Sequence, residues 1–173
     1  MASWSDVGRE APELAAAGWR LFKADGIPIA FLATVARSGR PRIAPVCPIF
    51  AGGDIYLSVG AHTPKKDDLS RDGRFALHAP LGREDEEFQA SGRAVEVVDP
   101  TQRAAVHQAI KFGAYHPGDP IFVLDLERCF HVRWEDVGRP ETRSIRRSWS
   151  PSWGGTRTTR WSLARGMEED PEH

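Results

Sequence analysis

Residues 57–78, LSVGAHTPKKDDLSRDGRFALH, decide how the fold is read. An apolar strand end gives way to a short polar loop. A helix start, a charged helix, a glycine and a second alternating strand follow. Thr63 then Pro64 predicts a helix N-cap and first helical position, because proline lacks the donor that goes unpaired there. Lys65 and Lys66 fall in the first turn, beside the positive end of the helix dipole, which is unfavourable by ~0.3–1 kcal/mol relative to acids at the same place. Either the lysines pair with Asp67, Asp68 or Asp72 on a solvated helix face, or they help to hold an anion. In the second case the free first-turn N–H groups, the Thr63 hydroxyl and two ammonium groups form one cradle, and phosphate is its usual occupant.

Outward from this stretch, short strands recur at hairpin spacing. Residues 29–36 (IAFLATVA) are mostly apolar and predict a strand buried on both faces or nearly so. RSGRP makes a turn, and residues 42–50 (RIAPVCPIF) the next strand. Pro45 and Pro48 cannot donate to a ladder, so that strand belongs at an edge or carries a bulge. AGGD is a hairpin turn before residues 55–59 (IYLSV). Residues 74–79 (RFALHA) and 88–98 (FQASGRAVEVV) are further strands, with Gly92 marking a bulge or a close backbone approach. Residues 120–137 predict one long strand or a bent pair.

Two helices flank the strands. Residues 10–23 carry Leu14, Ala17, Leu21 and Phe22 at helical intervals. Asp99, Pro100 and Gln102 form a helix start, with Val106, Ala109 and Ile110 on the inward face. The pattern implies a mainly β (α+β) domain, an antiparallel barrel with peripheral helices. It divides into a helical lead-in (1–28), the barrel (29–137) and a basic tail (138–173). The tail is rich in Arg, Trp, Ser, Thr and Gly, lacks a clear period, and ends in MEEDPEH, which reads as disordered.

The 173 residues suffice for one domain with a real core. A net charge of −1 argues against an electrostatic nucleic-acid binder. Cys47 and Cys129 build neither a disulfide framework nor a metal motif. No apolar run is long enough for a membrane span and no signal segment opens the chain, so a soluble cytoplasmic protein with no membrane partner is expected. No Ser-His-Asp, HExxH, Walker-type or CxxC pattern is present, and no metal is expected. His62 lies beside the proposed anion cradle, while His78 on its strand suits a structural role. In the tail, Trp149, Trp153 and Trp161 with Arg143, Arg146, Arg147, Arg157 and Arg160 either pack on the chain's own barrel, cover a partner subunit and touch an anionic cofactor, or stack on single-stranded nucleic acid.

The order of these pieces resembles the pyridoxamine 5'-phosphate oxidase-like family of flavin-binding split β-barrels, over residues 29–98 and more weakly to Trp134. In that family a strand pair leads to a Ser/Thr-x-Lys-x-x-Asn-Leu helix start, a DPRV-x-L-like strand and a strand ending in Gly-Arg/Lys. Here they are Thr63, Lys65, Asp68 and Leu69; Asp72, Gly73, Arg74, Phe75, Ala76 and Leu77; and Gly92 with Arg93. The resemblance implies a homodimer that holds FMN, or the deazaflavin coenzyme F-420, between subunits and acts on a small-molecule substrate by hydride transfer. A non-catalytic flavin- or haem-binding protein is the other possibility. Thr63 and Lys65 would bind the cofactor phosphate, with Lys66 assisting and Ser58 and Val59 along the same wall. Arg42 is placed to reach the phosphate or ribityl chain, or is a solvated strand-end charge. Ala44, Pro45 and Val46 would line the ring edge. No catalytic acid or base is assigned. Asp68 stands where asparagine is usual and brings a negative charge toward the phosphate. The family's EFWQG…RLHDR-like C-terminal segment is replaced by WGGTRTTRW, so vitamin B6 oxidation is not expected.

Overall fold

The computed structural model describes residues 1–23, 26–111, 115–162 and 166–169, the last four by backbone alone. Ten antiparallel strands make one folded sheet: β1 (Ala30–Val35), β2 (Pro41–Val46), β3 (Ile49–Ala51), β4 (Asp54–Ser58), β5 (Arg74–His78), β6 (Glu87–Glu96), β7 (Ile121–Glu135), β8 (Arg143–Ser150), β9 (Gly155–Ser162) and β10 (Gly166–Glu169). The main order is β10-β9-β8-β7-β6-β5-β1-β2. The long strand β7 organises it. β6 runs along one edge of β7, while the other edge takes β4 near its start and β8 over its second half. The β3–β4 hairpin thus hangs off β7 and leaves the sheet unclosed, split between β2 and β3.

The split falls where the prolines are. Residues 42–50 form two strands rather than one: β2 ends at Val46, and β3 begins after Pro48, which cannot donate to a ladder. β2 is an edge strand, as its prolines require. Gly52 and Gly53 turn the β3–β4 hairpin at φ 58° and 89°, the left-handed backbone that a two-residue loop of this kind demands. Opposite Gly92 the β6–β7 register slips, and a Cβ there would come within 1.9 Å of the Asp125 carbonyl oxygen. The glycine is thus a close-approach point. β1 is not buried on both faces: Leu32 and Thr34 face inward, whereas Phe31 stays 47% exposed on the outer side.

The N-terminal helical stretch is two helices, α1 (Trp4–Glu10) and α2 (Pro12–Phe22), broken at Ala11 ahead of Pro12. Ser3 and Asp6 close a reciprocal capping box on α1. The pair covers one end of the sheet through an aromatic cluster in which Trp4, Phe22, Phe50 and Phe88 meet at ring distances of 5.4–5.9 Å. Phe22 and Phe88 are fully buried and each contributes about 1.5–3 kcal/mol, while Trp4 and Phe50 are partly buried against them. α3 (Pro64–Arg71) packs on β1 and β6. α4 (Pro100–Ala109), capped by Asp99 through Gln102 N–H at 2.7 Å, covers a second small core of Ile49, Tyr56, Val97, Val106, Ile121 and Val123.

The tail does not stand apart from the barrel. β8, β9 and β10 extend the same sheet, and Trp149 is fully buried in the main core. Of the terminal MEEDPEH, Met167, Glu168 and Glu169 pair with β9 rather than being disordered; residues 170–173 lie outside the described residues.

Candidate functional site

Helix α3 starts as its sequence predicts, with extended Thr63 at the N-cap (φ −98°, ψ 144°) and Pro64 at the first position. The Thr63 hydroxyl does not cap the helix. It donates instead to the Gly60 carbonyl at 2.8 Å, which ties the preceding loop into a turn. The Lys66 N–H donates to the Thr63 carbonyl at 3.0 Å, so the helix begins with a tight turn. Among the described residues the Lys65 N–H makes no backbone bond, and one first-turn donor stays open.

The three aspartates that might have neutralised the lysines are mostly committed elsewhere. Asp72 holds Arg74 at 2.6 Å and Asp68 holds Arg42 at 2.8 Å. Only Asp67 approaches a lysine, 3.6 Å from Lys66 Nζ, and an exposed pair of that kind contributes at most about 1 kcal/mol. Lys65 forms no ion pair among the described residues. The positive charge at this helix start is therefore largely uncompensated.

Asp68 is 5% exposed, on the inner face of α3. Its Oδ2 accepts from the Thr34 hydroxyl at 2.9 Å and from Arg42 Nε at 2.8 Å, while Arg71 lies 3.6 Å from Oδ1. The β1–β2 register, which sets Thr34 opposite Arg42, brings both donors to one carboxylate. Burial pushes the Asp68 pKa up, but the hydrogen bonds from Arg42 and Thr34 and the two guanidinium charges outweigh it. The carboxyl is held below its usual range. Asp68 neutralises part of this charge, but two guanidinium groups face it, so the cluster stays net positive. The hydrogen bond from Arg42 Nε to Asp68 fixes Arg42, whose side chain remains 41% exposed. A cavity of about 410 Å³ opens here, lined by Arg37, Arg42, Pro64, Asp67, Asp68 and Arg71.

The structure thus brings Arg42 beside the start of α3, with Thr63, Lys65 and Lys66 on that start. Ala44 and Val46 alternate with Pro45 along β2: the first two share the Arg42 side, and Val46 packs on the main core. Pro45 is exposed on the opposite side with Ile43. Ser58 ends β4, and its hydroxyl is buried with no hydrogen-bond partner among the described residues. Val59 is buried and donates its N–H to the Pro120 carbonyl, which leaves only its own carbonyl to offer. His62 is exposed, and no group of metal-binding side chains occurs among the described residues. The sequence reading missed Thr34, Arg37 and Arg71. Arg71 was visible three residues beyond Asp68, one turn along the same helix face. The other two needed the strand register.

An FMN-type phosphate fits this donor set chemically. It offers an open first-turn N–H, two lysines and a held guanidinium, with one orphaned serine hydroxyl near the loop.

No protein-family model matches the chain, and no curated protein is significantly similar to it. Solved structures are. An FMN-binding protein from Nostoc punctiforme, related to pyridoxamine 5'-phosphate oxidase, aligns at 15% identity and TM-score 0.61 over 98% of this chain and 96% of its own. PhzG from Burkholderia lata, in complex with tetrahydrophenazine-1-carboxylic acid, aligns at 15% identity and TM-score 0.58 over 92% and 95%. A haem-binding protein from Mycobacterium smegmatis aligns at 22% identity and TM-score 0.57 over 78% of this chain, which spans only 57% of that protein's length. At these identities the likeness is one of fold. The chain has the split β-barrel fold of the pyridoxamine 5'-phosphate oxidase-like proteins, an architecture that serves both flavin and haem binders.

Proposed function

We propose that the protein is an FMN-dependent oxidoreductase acting on a small molecule. The observation that supports this most is the largely uncompensated positive charge at the start of α3, backed by an arginine that a buried carboxylate holds in place. When bound, the flavin supplies hydride exchange at its N5 atom, so the protein's task is binding, orientation and electrostatics. Lys65, Lys66 and the α3 N–H groups hold the phosphate. Arg42, fixed by Asp68, reaches the phosphate or the ribityl chain. The β2 edge, with Ala44, Pro45 and Val46, presents backbone groups to the ring system. We also propose a homodimer. Phe31 and Ile43 are 47% and 72% exposed on neighbouring strands beside Pro45, an apolar patch a second copy would cover.

The test compares FMN with riboflavin, which lacks the phosphate. Lys65→Ala should weaken FMN at least roughly tenfold, the size of a charge-assisted hydrogen bond, and leave riboflavin unchanged. Equal FMN affinity in the variant overturns the placement. The absorption spectrum of the purified protein, with mass spectrometry of the released ligand, separates FMN from deazaflavin and from haem. Haem earns its place there because the mycobacterial neighbour binds it.

A further inference from the structure

Strand alternation divides the basic tail between two faces of the sheet. The face toward the α1–α2 corner takes Arg133, Arg143 and Arg147, and these are paired: Arg133 and Arg143 with Glu135, Arg147 with Glu13 at 3.2 Å. Arg147 and Glu13 line a cavity of about 520 Å³ there. The other face points away from the main core. The β7–β8–β9 register sets three rows on it: Trp134, Ser144 and Trp161; Val132, Arg146 and Thr159; Phe130, Ser148 and Arg157. Arg128 shares this face with Phe130 by alternation, and Trp153 closes that end from the turn after β8. None of these residues belongs to the α3 site.

Among the described residues Arg128, Arg146 and Arg157 form no ion pair. Arg128 and Arg157 flank the Trp153 ring, 5.7 and 4.4 Å from its centroid, a contact that leaves their charge in place. Arg146 keeps its Nε buried without a hydrogen-bond partner. So does the hydroxyl of Ser144, fully buried in the row between Trp134 and Trp161. Those two indoles meet edge to face at 6.0 Å. The carboxylates around this face lie at its borders. Glu87, opposite Val132, leans toward His78, and Glu127, beside Arg128 in the chain, toward Arg93. Glu169 is in register with Thr159, two strands from Arg146. The whole chain's charge of −1 therefore conceals a face with three positive charges and no carboxylate between them.

From these unpaired arginines set among indoles, we infer that the outer face of β7–β9 binds single-stranded nucleic acid. The guanidinium groups neutralise phosphates, the Arg146 Nε gains the partner it lacks, and bases stack on the indoles and on the guanidinium planes. From Arg128 to Trp134 the face runs about 20 Å, which accommodates roughly four nucleotides. Trp134, Trp153 and Trp161 are half-buried in the sheet rather than protruding, a flat platform that suits bases and not insertion into a lipid surface. Phe31 lies three strands beyond Phe130 in the same row, so the second copy proposed above would sit beside this patch.

A fluorescein-labelled oligothymidylate of about twelve nucleotides is the probe, read by anisotropy with the full chain at about 50 mM salt. Its affinity should fall with added salt at a log–log slope of about −2, from three phosphates at roughly 0.7 each. Arg128→Gln/Arg157→Gln, at two exposed positions, should weaken binding at least roughly tenfold and cut the slope to about −0.7. A duplex of the same length should bind more weakly, because its bases are not free to stack. Lys65→Ala should leave the oligonucleotide unchanged while it weakens FMN, which separates this face from the α3 site. Absence of binding at micromolar protein, an unchanged double variant, a duplex bound as tightly, or binding to phosphatidylserine vesicles without binding to the oligonucleotide each overturns the assignment. Sedimentation of the double variant should match wild type; a loss of self-association would give these arginines to a subunit contact instead and overturn it too. If the double variant loses its near-ultraviolet dichroism, the wild-type salt slope decides: about −2 sustains the face, and a slope shallower than about −1 overturns it.

Discussion

Two cavities of this barrel join arginines to a proline-initiated helix start, yet they are held together by opposite means. At α3 the organising group is a buried carboxylate, Asp68, which gathers Thr34, Arg42 and Arg71 from three elements. At the α1–α2 corner it is a fully buried indole, Trp149, and the carboxylates sit at the rim. A buried acid fixes the direction of its arginine, because a desolvated charge must keep its partner. An apolar anchor fixes the walls and leaves the Glu13–Arg147 pair at the rim in water. The first arrangement suits a resident cofactor that demands one geometry.

Truncating each anchor tests this contrast. Trp149→Ala should have the largest effect, about 3–5 kcal/mol of stability, since it empties the core under β8 and frees Glu10. Chemical denaturation measures it, and a loss below about 1 kcal/mol would mean the indole is not the anchor. Asp68→Ala should cost about 2–3 kcal/mol and weaken FMN as well, since Arg42 loses its fixed direction. If FMN affinity held while stability fell, Asp68 would be purely structural.

Acid should act on one cavity selectively. The folded pKa of Asp68 is held below the unfolded value of about 3.9. Its contribution to stability is therefore present above that value and lost as pH falls through the folded pKa. In Asp68→Asn that loss is absent, so the stability gap between variant and wild type should narrow below about pH 4. A gap that stays constant with pH would show that the charge is not what stabilises this corner.

Most strands up to β7, both hairpin glycines, the close approach at Gly92 and the start of α4 were legible, because each rests on local backbone chemistry. The tail was not. Arg147 and Arg160 read as aperiodic basic residues, since a strand with one face against the barrel core and another carrying serine, arginine and threonine shows no simple hydrophobic alternation. The role of Asp68 was also hidden. As one of two adjacent aspartates after two lysines it looked like part of a surface charge run. Only the pairing of Thr34 with Arg42 across β1–β2 shows why this aspartate is buried and its neighbour Asp67 is not. Local signals are written in neighbours along the chain, and this one depends on neighbours across the sheet.

The smallest expected effect draws the contrast most finely. Thr34→Val removes one donor to Asp68 and keeps the side-chain shape, so it should cost about 1 kcal/mol. Glu13→Ala, which removes a carboxylate 3.2 Å from an arginine, should change stability by less than about 0.5 kcal/mol, because that pair is mostly in water. Added salt sharpens the difference. At 1 M the screening length falls to roughly 3 Å, which removes what little the Glu13–Arg147 contact contributes but reaches the buried Asp68 cluster far less. Thr34→Val should therefore keep its deficit in high salt, and Glu13→Ala should become indistinguishable from wild type. Equal, salt-insensitive losses at both positions would show that the rim carboxylate is as much an anchor as the buried one.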